Sequence, residues 1–541
     1  MRLKHHILLR RIAKHFAIFW ALVAVVFGLY WQTRLNPFIF DDSRALGEFF
    51  EYAKHFAMGR YISSAIFHVS QATSYMTFAW LDAWSHTIQI QRLFNISLHA
   101  FNSYLLYIFI YQLFKERRTA AFMALFFAIN PAAMYAVAYL VQRNILLVVF
   151  FGLIQCILFY ACLNSKSKAK MWTLLLASVM AFLLAKSCKD QAVPLLAAYP
   201  LLLVAHGRAR LFLQKYFTFI LMVFLYFVAF KWNLFSQDLY GDLDTLKPAN
   251  SIRQTCDISN VGLFEKSVIT QLGLYFRYFA TWLLPLSTTI DMRFPLQQGA
   301  VWPFLMIVYL LTSCGLFFKK STRLLGFGML LTFCLFSPEL SRVRLGDIFV
   351  VYRSYLFAIG YMIVIAFFIQ KLPQRLKTMS FFLLIPLAFI TYHRLDMFGV
   401  PATAWKKASE KLTPKTMCQG ARIYNNIGGT LLEEAKYIEA IPYLEKALTI
   451  QSDRLSTLSN LGFAYIYAGK YAEAEKQFQT LMDKKPNEDF MISAYLGLGT
   501  IEKKKENYIK AMEYFTKVTT LNPLFVPGQV EFYNVKRILG Q

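Results

Sequence analysis

The feature that most constrains this chain is a succession of long apolar blocks separated by short loops rich in lysine and arginine. Blocks of about 17 to 25 apolar residues read as membrane-crossing helices, because lipid offers the backbone no hydrogen-bond partner but itself. They fall at residues 16–31, 96–114, 119–138, 145–162, 172–185, 192–205, 211–230, 301–318, 324–336, 351–369 and 379–392, about eleven spans. With 57% of 541 residues hydrophobic, the bilayer rather than water is the expected solvent.

Counting alternately from a cytoplasmic N-terminus, the inner loops are 115–118, 165–170, 206–210, 319–323 and 370–377, and every one is basic. This agreement between parity and charge accounts for the net charge of +26 without invoking nucleic acid. Arg2, Lys4, Arg10, Arg11 and Lys14 precede the first block, and no small-residue cleavage site follows it, so it reads as an uncleaved span. Eleven spans put the C-terminal region outside. The expected product is a multi-pass protein of a bacterial inner membrane, with a cytoplasmic N-terminus and a periplasmic C-terminal region. The outer segments 34–91, 142–144, 187–191, 231–300 and 339–350 together carry carboxylates as well as bases, 142–144 contributing only Arg143, and ionisable groups at span ends tend to mark a cavity or ligand site. Seven cysteines show no CxxC pair. Cys256 and Cys418 both fall outside, where an oxidising compartment would let them pair.

From about residue 418 the composition turns polar and periodic. Gly428, Gly462 and Gly499 are each followed nine residues later by Tyr437, Tyr471 and Tyr508, then by Ala440, Ala474 and Ala511, and then by Leu444, Phe478 and Phe515. Pro486 and Pro523 close the second and third units, and a small insertion falls near 487–493. The pattern resembles tetratricopeptide repeats, in which small residues let paired helices approach and aromatics fill the gap. The fold class is therefore all-α: a polytopic helical domain over 1–400, a linker over 401–417, and an α-solenoid over 418–541. The repeats read as a groove for a protein partner, with a structural cap or dimerisation surface as the competing role.

Phe40-Asp41-Asp42 stands directly after the first span. Adjacent carboxylates repel, and burial raises a pKa, so the pair suits a general base or a cation ligand; a helix N-cap is the bland reading.

Five further segments occur in order. They are 95–102 with Asn95, His99 and Asn102; Asn130-Pro131 with 136–143; Cys188-Lys189-Asp190-Gln191; 271–285 with Asp291 and Pro295; and 347–356 with Arg353-Ser354-Tyr355-Leu356. Together with Phe40-Asp41-Asp42 and the repeats, they resemble the GT-C glycosyltransferases that use polyprenyl-phosphate donors. Within that group they resemble the transmembrane and tetratricopeptide-repeat-containing O-mannosyltransferases and their bacterial homologues. Asn130 stands where that family has histidine and Asp190 where it has glutamate, while Val351, Tyr352 and Phe357 replace glutamate, histidine and proline.

The resemblance implies an inverting transfer of a sugar or oligosaccharide from a polyprenyl-(di)phosphate donor to a hydroxyl of an extracytoplasmic protein. Asp42 or Asp41 would be the base, and Arg143, Lys189, Arg277 and Arg353 would stabilise the departing phosphate. Arg60, Asn95, His99, Gln142, Asp190, Asp291, Glu339 and Tyr355 would complete the pocket. No cofactor beyond the donor is implied, and a divalent cation is left open. Each assignment has a structural competitor: Arg143 and Lys189 as interfacial anchors, Arg277 paired with Asp291, and His99 and Asn95 as interhelical hydrogen-bond partners. Transfer to a lipid or envelope glycan, or a non-catalytic assembly factor, are the competing functions.

Overall fold

The computed structural model describes residues 2–37, 39, 42, 71–207, 255–256, 262–285, 289–341, 343–523 and 525–540. Asp41, Arg60 and the expected span 211–230 lie outside them.

The N-terminal part is a bundle built from α1 (Arg2–Tyr30), α2 (Ala72–Trp84), α3 (Ile88–Phe114), α4 (Arg117–Ala128), α5 (Pro131–Val137), α6 (Arg143–Leu163), α7 (Lys168–Cys188) and α8 (Ala198–Ala205). It continues through α9 (Leu263–Leu283), α10 (Val301–Phe318), α11 (Arg323–Phe336), α12 (Ser354–Ile369), α13 (Gln374–Ser380) and α14 (Leu384–Leu395). Among the described residues there is no strand, only an isolated bridge between Met292 and Phe349. Among the described residues, eight helical segments are long and apolar enough to cross a membrane, or nine if a bent pair counts as one.

Three expectations about the spans change. The stretch 119–138 is not one straight helix: α4 and α5 meet at a 59° bend. Pro131 lacks the N–H that would continue α4. The Asn130 side chain then caps α5, accepting from the Ala132 N–H at 3.0 Å while donating to the Trp282 carbonyl at 2.9 Å. The stretch 192–205 is a 3-10 turn, Asp190–Ala197, leading into the short α8. Pro194 inside that turn disfavours a regular α-helix. Finally α9, expected within an outer loop, sends Leu272, Tyr275, Tyr278 and Trp282 into the bundle core.

Where α11 crosses α12 the backbones nearly touch: a Cβ on Gly360 would collide with Thr332 Oγ1 and the Gly328 carbonyl. Small residues at such a crossing let packing replace the hydrophobic drive that lipid removes.

The two ends of the bundle differ in chemistry. At one end, segments expected inside meet each other: Lys377 pairs with Glu116 at 2.7 Å, Arg118 donates to Gln374 at 2.7 Å, and His206 bonds Asn164 at 3.0 Å. Segments expected outside also meet one another, as Asn144 with Gln71 and Thr73 with Ser187.

The repeats follow as α15 (Pro401–Ser409), α16 (Ala421–Glu433), α17 (Tyr437–Ile450), α18 (Leu455–Tyr467), α19 (Tyr471–Asp483), α20 (Glu488–Lys504), α21 (Tyr508–Leu521) and α22 (Val526–Ile538). A Cβ on Gly428 would strike Leu444, one on Gly462 would strike Phe478, and one on Gly499 would strike Phe515. The sequence period thus records the close approach within each helix pair. The insertion is absorbed by lengthening α20 to 17 residues, against 13 in α16 and α18. The stretch 401–417 is not a bare linker, because Ala402, Trp405 and Ala408 of α15 belong to the repeat core. Cys256 and Cys418 form a disulfide, with Cα atoms 5.2 Å apart.

Candidate functional site

Asp42 is fully buried. Its Oδ1 accepts the Val141 N–H at 3.0 Å and its Oδ2 the Ile39 N–H at 3.2 Å, with Arg92 Nη2 at 3.9 Å. Arg92 in turn donates to the carbonyls of Ala138 and Pro37. The acid thus clamps the start of the first outer segment onto the turn that carries Gln142 and Arg143.

Arg143 is also fully buried. Its Nε donates to Asn95 Oδ1 at 2.8 Å and its Nη2 to the Gln91 carbonyl at 2.8 Å, and the guanidinium lies 3.6 Å from the Phe78 ring centroid. Asn95 bonds Arg143 and the Leu140 carbonyl, and Gln142 is buried beside them. His99 Nε2 stands 2.9 Å from the Ala128 carbonyl, which can only accept. Its Nδ1 therefore accepts from the Tyr355 hydroxyl at 2.8 Å, which receives a bond from Asn102 at 3.2 Å. His99, Asn95 and Tyr355 are interhelical ties in this geometry.

A second cluster gathers at the same end. Lys189 Nζ reaches Asn144 Oδ1 at 3.4 Å and lies over the Tyr352 ring at 5.7 Å. Burial first, and Arg353 second, push its ammonium down to about 8. Arg353 donates to Glu339 at 2.9 Å and approaches Asp347 at 3.8 Å, while Arg344 and Gln191 also reach Glu339. Asp347 and Asp291 are bridged by Arg422 of α16, and Asp291 is further paired with Arg293 at 2.8 Å. Burial raises both carboxyls, but the arginines outweigh it and hold them below the usual aspartate range. Among the described residues, the cations of Lys189, Arg293, Arg344, Arg353 and Arg422 outnumber the carboxylates of Asp291, Glu339 and Asp347.

Two expected members stand apart. Arg277 is exposed and stacks on Phe294 at 4.8 Å, and Asp291 pairs with Arg293 and Arg422 instead. Asp190 is exposed and pairs with Lys186 at 3.6 Å. No three His, Cys, Asp or Glu side chains among the described residues form a metal-ligand set.

Between this end of the bundle and the first two repeats lies a chamber of about 880 Å³. Tyr139, Tyr352 and Asp347 line it from the bundle, and Arg422, Asn426 and Arg454 from the repeats. The ties made by Arg92, Arg293, Arg344 and Arg422 were not anticipated. The nearest sequence signal was Asp347, which sits in one of the quoted segments without an assigned role.

Residues 420–486 and 492–523 match models of the tetratricopeptide repeat. The chain is also similar to "Protein O-mannosyl-transferase Tmtc3" of Drosophila melanogaster, 37% identical over 60 residues, which is 11% of this chain and 6% of that protein. The repeats are therefore present, and the apolar helices together with the Tmtc3 likeness support a membrane protein carrying them.

Proposed function

We propose that the chain is an integral-membrane glycosyltransferase that moves a sugar from a polyprenyl-(di)phosphate donor to a hydroxyl of an extracytoplasmic protein. The observation that carries this reading is the surplus of cations around Lys189 and Arg353, beside a chamber roofed by repeats. A departing phosphate gains charge in the transition state, and preorganised cations in a poorly hydrated site stabilise it there. Lys189 has no carboxylate bonded to it among the described residues, which suits it to that task.

Deprotonation of the acceptor is assigned to the Asp41–Asp42 pair. With both Asp42 oxygens held by backbone N–H groups, Asp42 acts as the anchor of the loop and Asp41 is left to take the proton. Tetratricopeptide repeats generally bind proteins, which suits them to delivering the acceptor to the chamber. The Cys256–Cys418 disulfide supports an oxidising compartment for the repeats, as a periplasm provides. The charge bias of the loops supports a cytoplasmic N-terminus.

The test is transfer of labelled sugar from polyprenyl-phosphate donors to protein in membranes carrying the wild type, Lys189→Met, Asp41→Asn or Asp42→Asn. Loss of transfer in Lys189→Met and Asp41→Asn, with correct insertion, is expected. Full transfer by both would end the proposal.

A further inference from the structure

Tyr352 belongs both to the cation cluster and to the chamber. It is the middle residue of a single 3-10 turn, Val351–Arg353, in which successive side chains point about 120° apart. Val351 packs into the bundle core and Arg353 is held by Glu339, so the turn leaves Tyr352 to form part of the chamber wall. The backbone before it is fixed by Tyr278, whose hydroxyl accepts the Val350 N–H at 2.9 Å. The Tyr139 ring meets the Tyr352 ring edge-on, with centroids 6.0 Å apart.

Lys189 Nζ lies 5.7 Å from the centroid of the Tyr352 ring, and Tyr352, unlike Lys189, lines the chamber. The ring therefore borders the ammonium and the chamber together. Its hydroxyl makes no hydrogen bond to another group among the described residues.

In the proposed transfer the acceptor oxygen bonds the anomeric carbon of the sugar. The bond from that carbon to the phosphate oxygen breaks with its electron pair leaving on the phosphate, and the acceptor proton passes to Asp41. The anomeric carbon is separated from the phosphorus at Lys189 by a single bridging oxygen, yet it must face an acceptor in the chamber. A sugar so held lies against the side chain that borders both places. A phenol suits it there, because the ring packs on C–H groups of the sugar while the hydroxyl pairs with one of the sugar's own. The departing phosphate is served by Lys189 itself and leaves the phenol free for the sugar.

We infer that Tyr352 is a specificity-determining residue that seats the transferred sugar against its ring and selects it through one sugar hydroxyl. The inference rests on the glycosyltransferase reading and adds to it the place where the sugar is recognised.

The experiment uses the full chain in lipid nanodiscs, with an unfractionated extract of extracytoplasmic proteins as acceptor. The donors are polyprenyl phosphates and diphosphates bearing mannose, glucose, galactose or N-acetylglucosamine. The best donor is then compared with its monodeoxy analogues in the wild type, Tyr352→Phe and Tyr352→Leu. In the wild type, one monodeoxy donor is expected to react about tenfold more slowly or worse, the scale of one hydrogen bond whose partner is left unpaired. Tyr352→Phe is expected to slow the parent donor by the same factor and to leave that deoxy donor unchanged, so that the two losses do not add. Tyr352→Leu is expected to slow every donor further, through the lost ring contact. A Tyr352→Phe variant that keeps the wild-type ranking of the deoxy donors overturns the inference and leaves the glycosyltransferase reading standing. Absence of transfer from every donor by correctly inserted wild type overturns that reading, and the inference with it.

Discussion

The guanidinium of Arg422 stands 2.8 Å from the Asp291 carboxylate, so the first repeat is bonded to the segment between α9 and α10. Its other nitrogen reaches Asp347, and Gln419 adds a bond to the Phe294 carbonyl. Removing the arginine leaves a carboxylate that is only 7% exposed with Arg293 as its remaining ion-pair partner. Arg422→Ala is expected to weaken docking of the repeats by about 2 kcal/mol, less than a wholly buried pair because Arg422 is partly in solvent. Faster proteolysis near residues 401–420, at unchanged helix content, is the readout.

The same cluster sets a pH dependence. Asp291 and Asp347 are held below the usual aspartate range, so their contribution is complete above about pH 4 and fades as pH falls below it. Docking followed by crosslinking between α16 and the bundle should be constant from neutral pH to about 5 and decline further down. An Asp347→Asn variant should show a smaller decline.

Lys189 works in the opposite limb. Its ammonium is pushed down to about 8, so the charge proposed to face a departing phosphate is lost as pH rises through that value. Transfer is expected to fall above about pH 8 in the wild type, and Lys189→Arg, which stays protonated, should lose that limb. A wild-type rate unchanged to pH 10 would refute the assignment.

Arg143 is predicted to matter for stability rather than donor affinity. Truncation leaves Asn95 Oδ1 and the Gln91 carbonyl without their partner. A cost of about 3 kcal/mol follows for Arg143→Ala, and Lys is a poor replacement for a stacked, multiply bonded guanidinium. Thermal denaturation in detergent should fall for both Arg143→Ala and Arg143→Lys. A raised donor KM at unchanged stability would reverse this conclusion.

Gly360→Ala tests the crossing of α11 and α12. The added methyl meets Thr332 and the Gly328 backbone, and overpacking of this kind costs about 1–3 kcal/mol. A lowered Tm with normal repeats is expected.

How much of this was legible depended on whether a feature reports on its own neighbourhood. The repeats were plain because Gly428 and Leu444, or Gly462 and Phe478, touch within one helix pair, and their spacing is the contact. The helix α9 was hidden because Glu265, Lys266 and Arg277 interrupt its apolar run, although Tyr275, Tyr278 and Trp282 face inward. At the site, residue type singled out Asp42, and the family resemblance pointed to Lys189 and Arg353. The pairs that join the repeats to them come from far along the chain: Arg422 meets Asp291 across 131 residues, and no local pattern encodes such a meeting. Asparagines at 425, 426 and 460 read as ordinary helix residues until the stacking of α16 on α18 lines them up.

The chamber is a half-shell on each side, tyrosines and two aspartates from the bundle side against asparagines and arginines from the solenoid. Neither half encloses a volume alone. Transplanting the solenoid onto another scaffold, or trimming it, would therefore leave the chamber without one of its walls. The chamber is thus a joint property of one seam rather than of two separable modules.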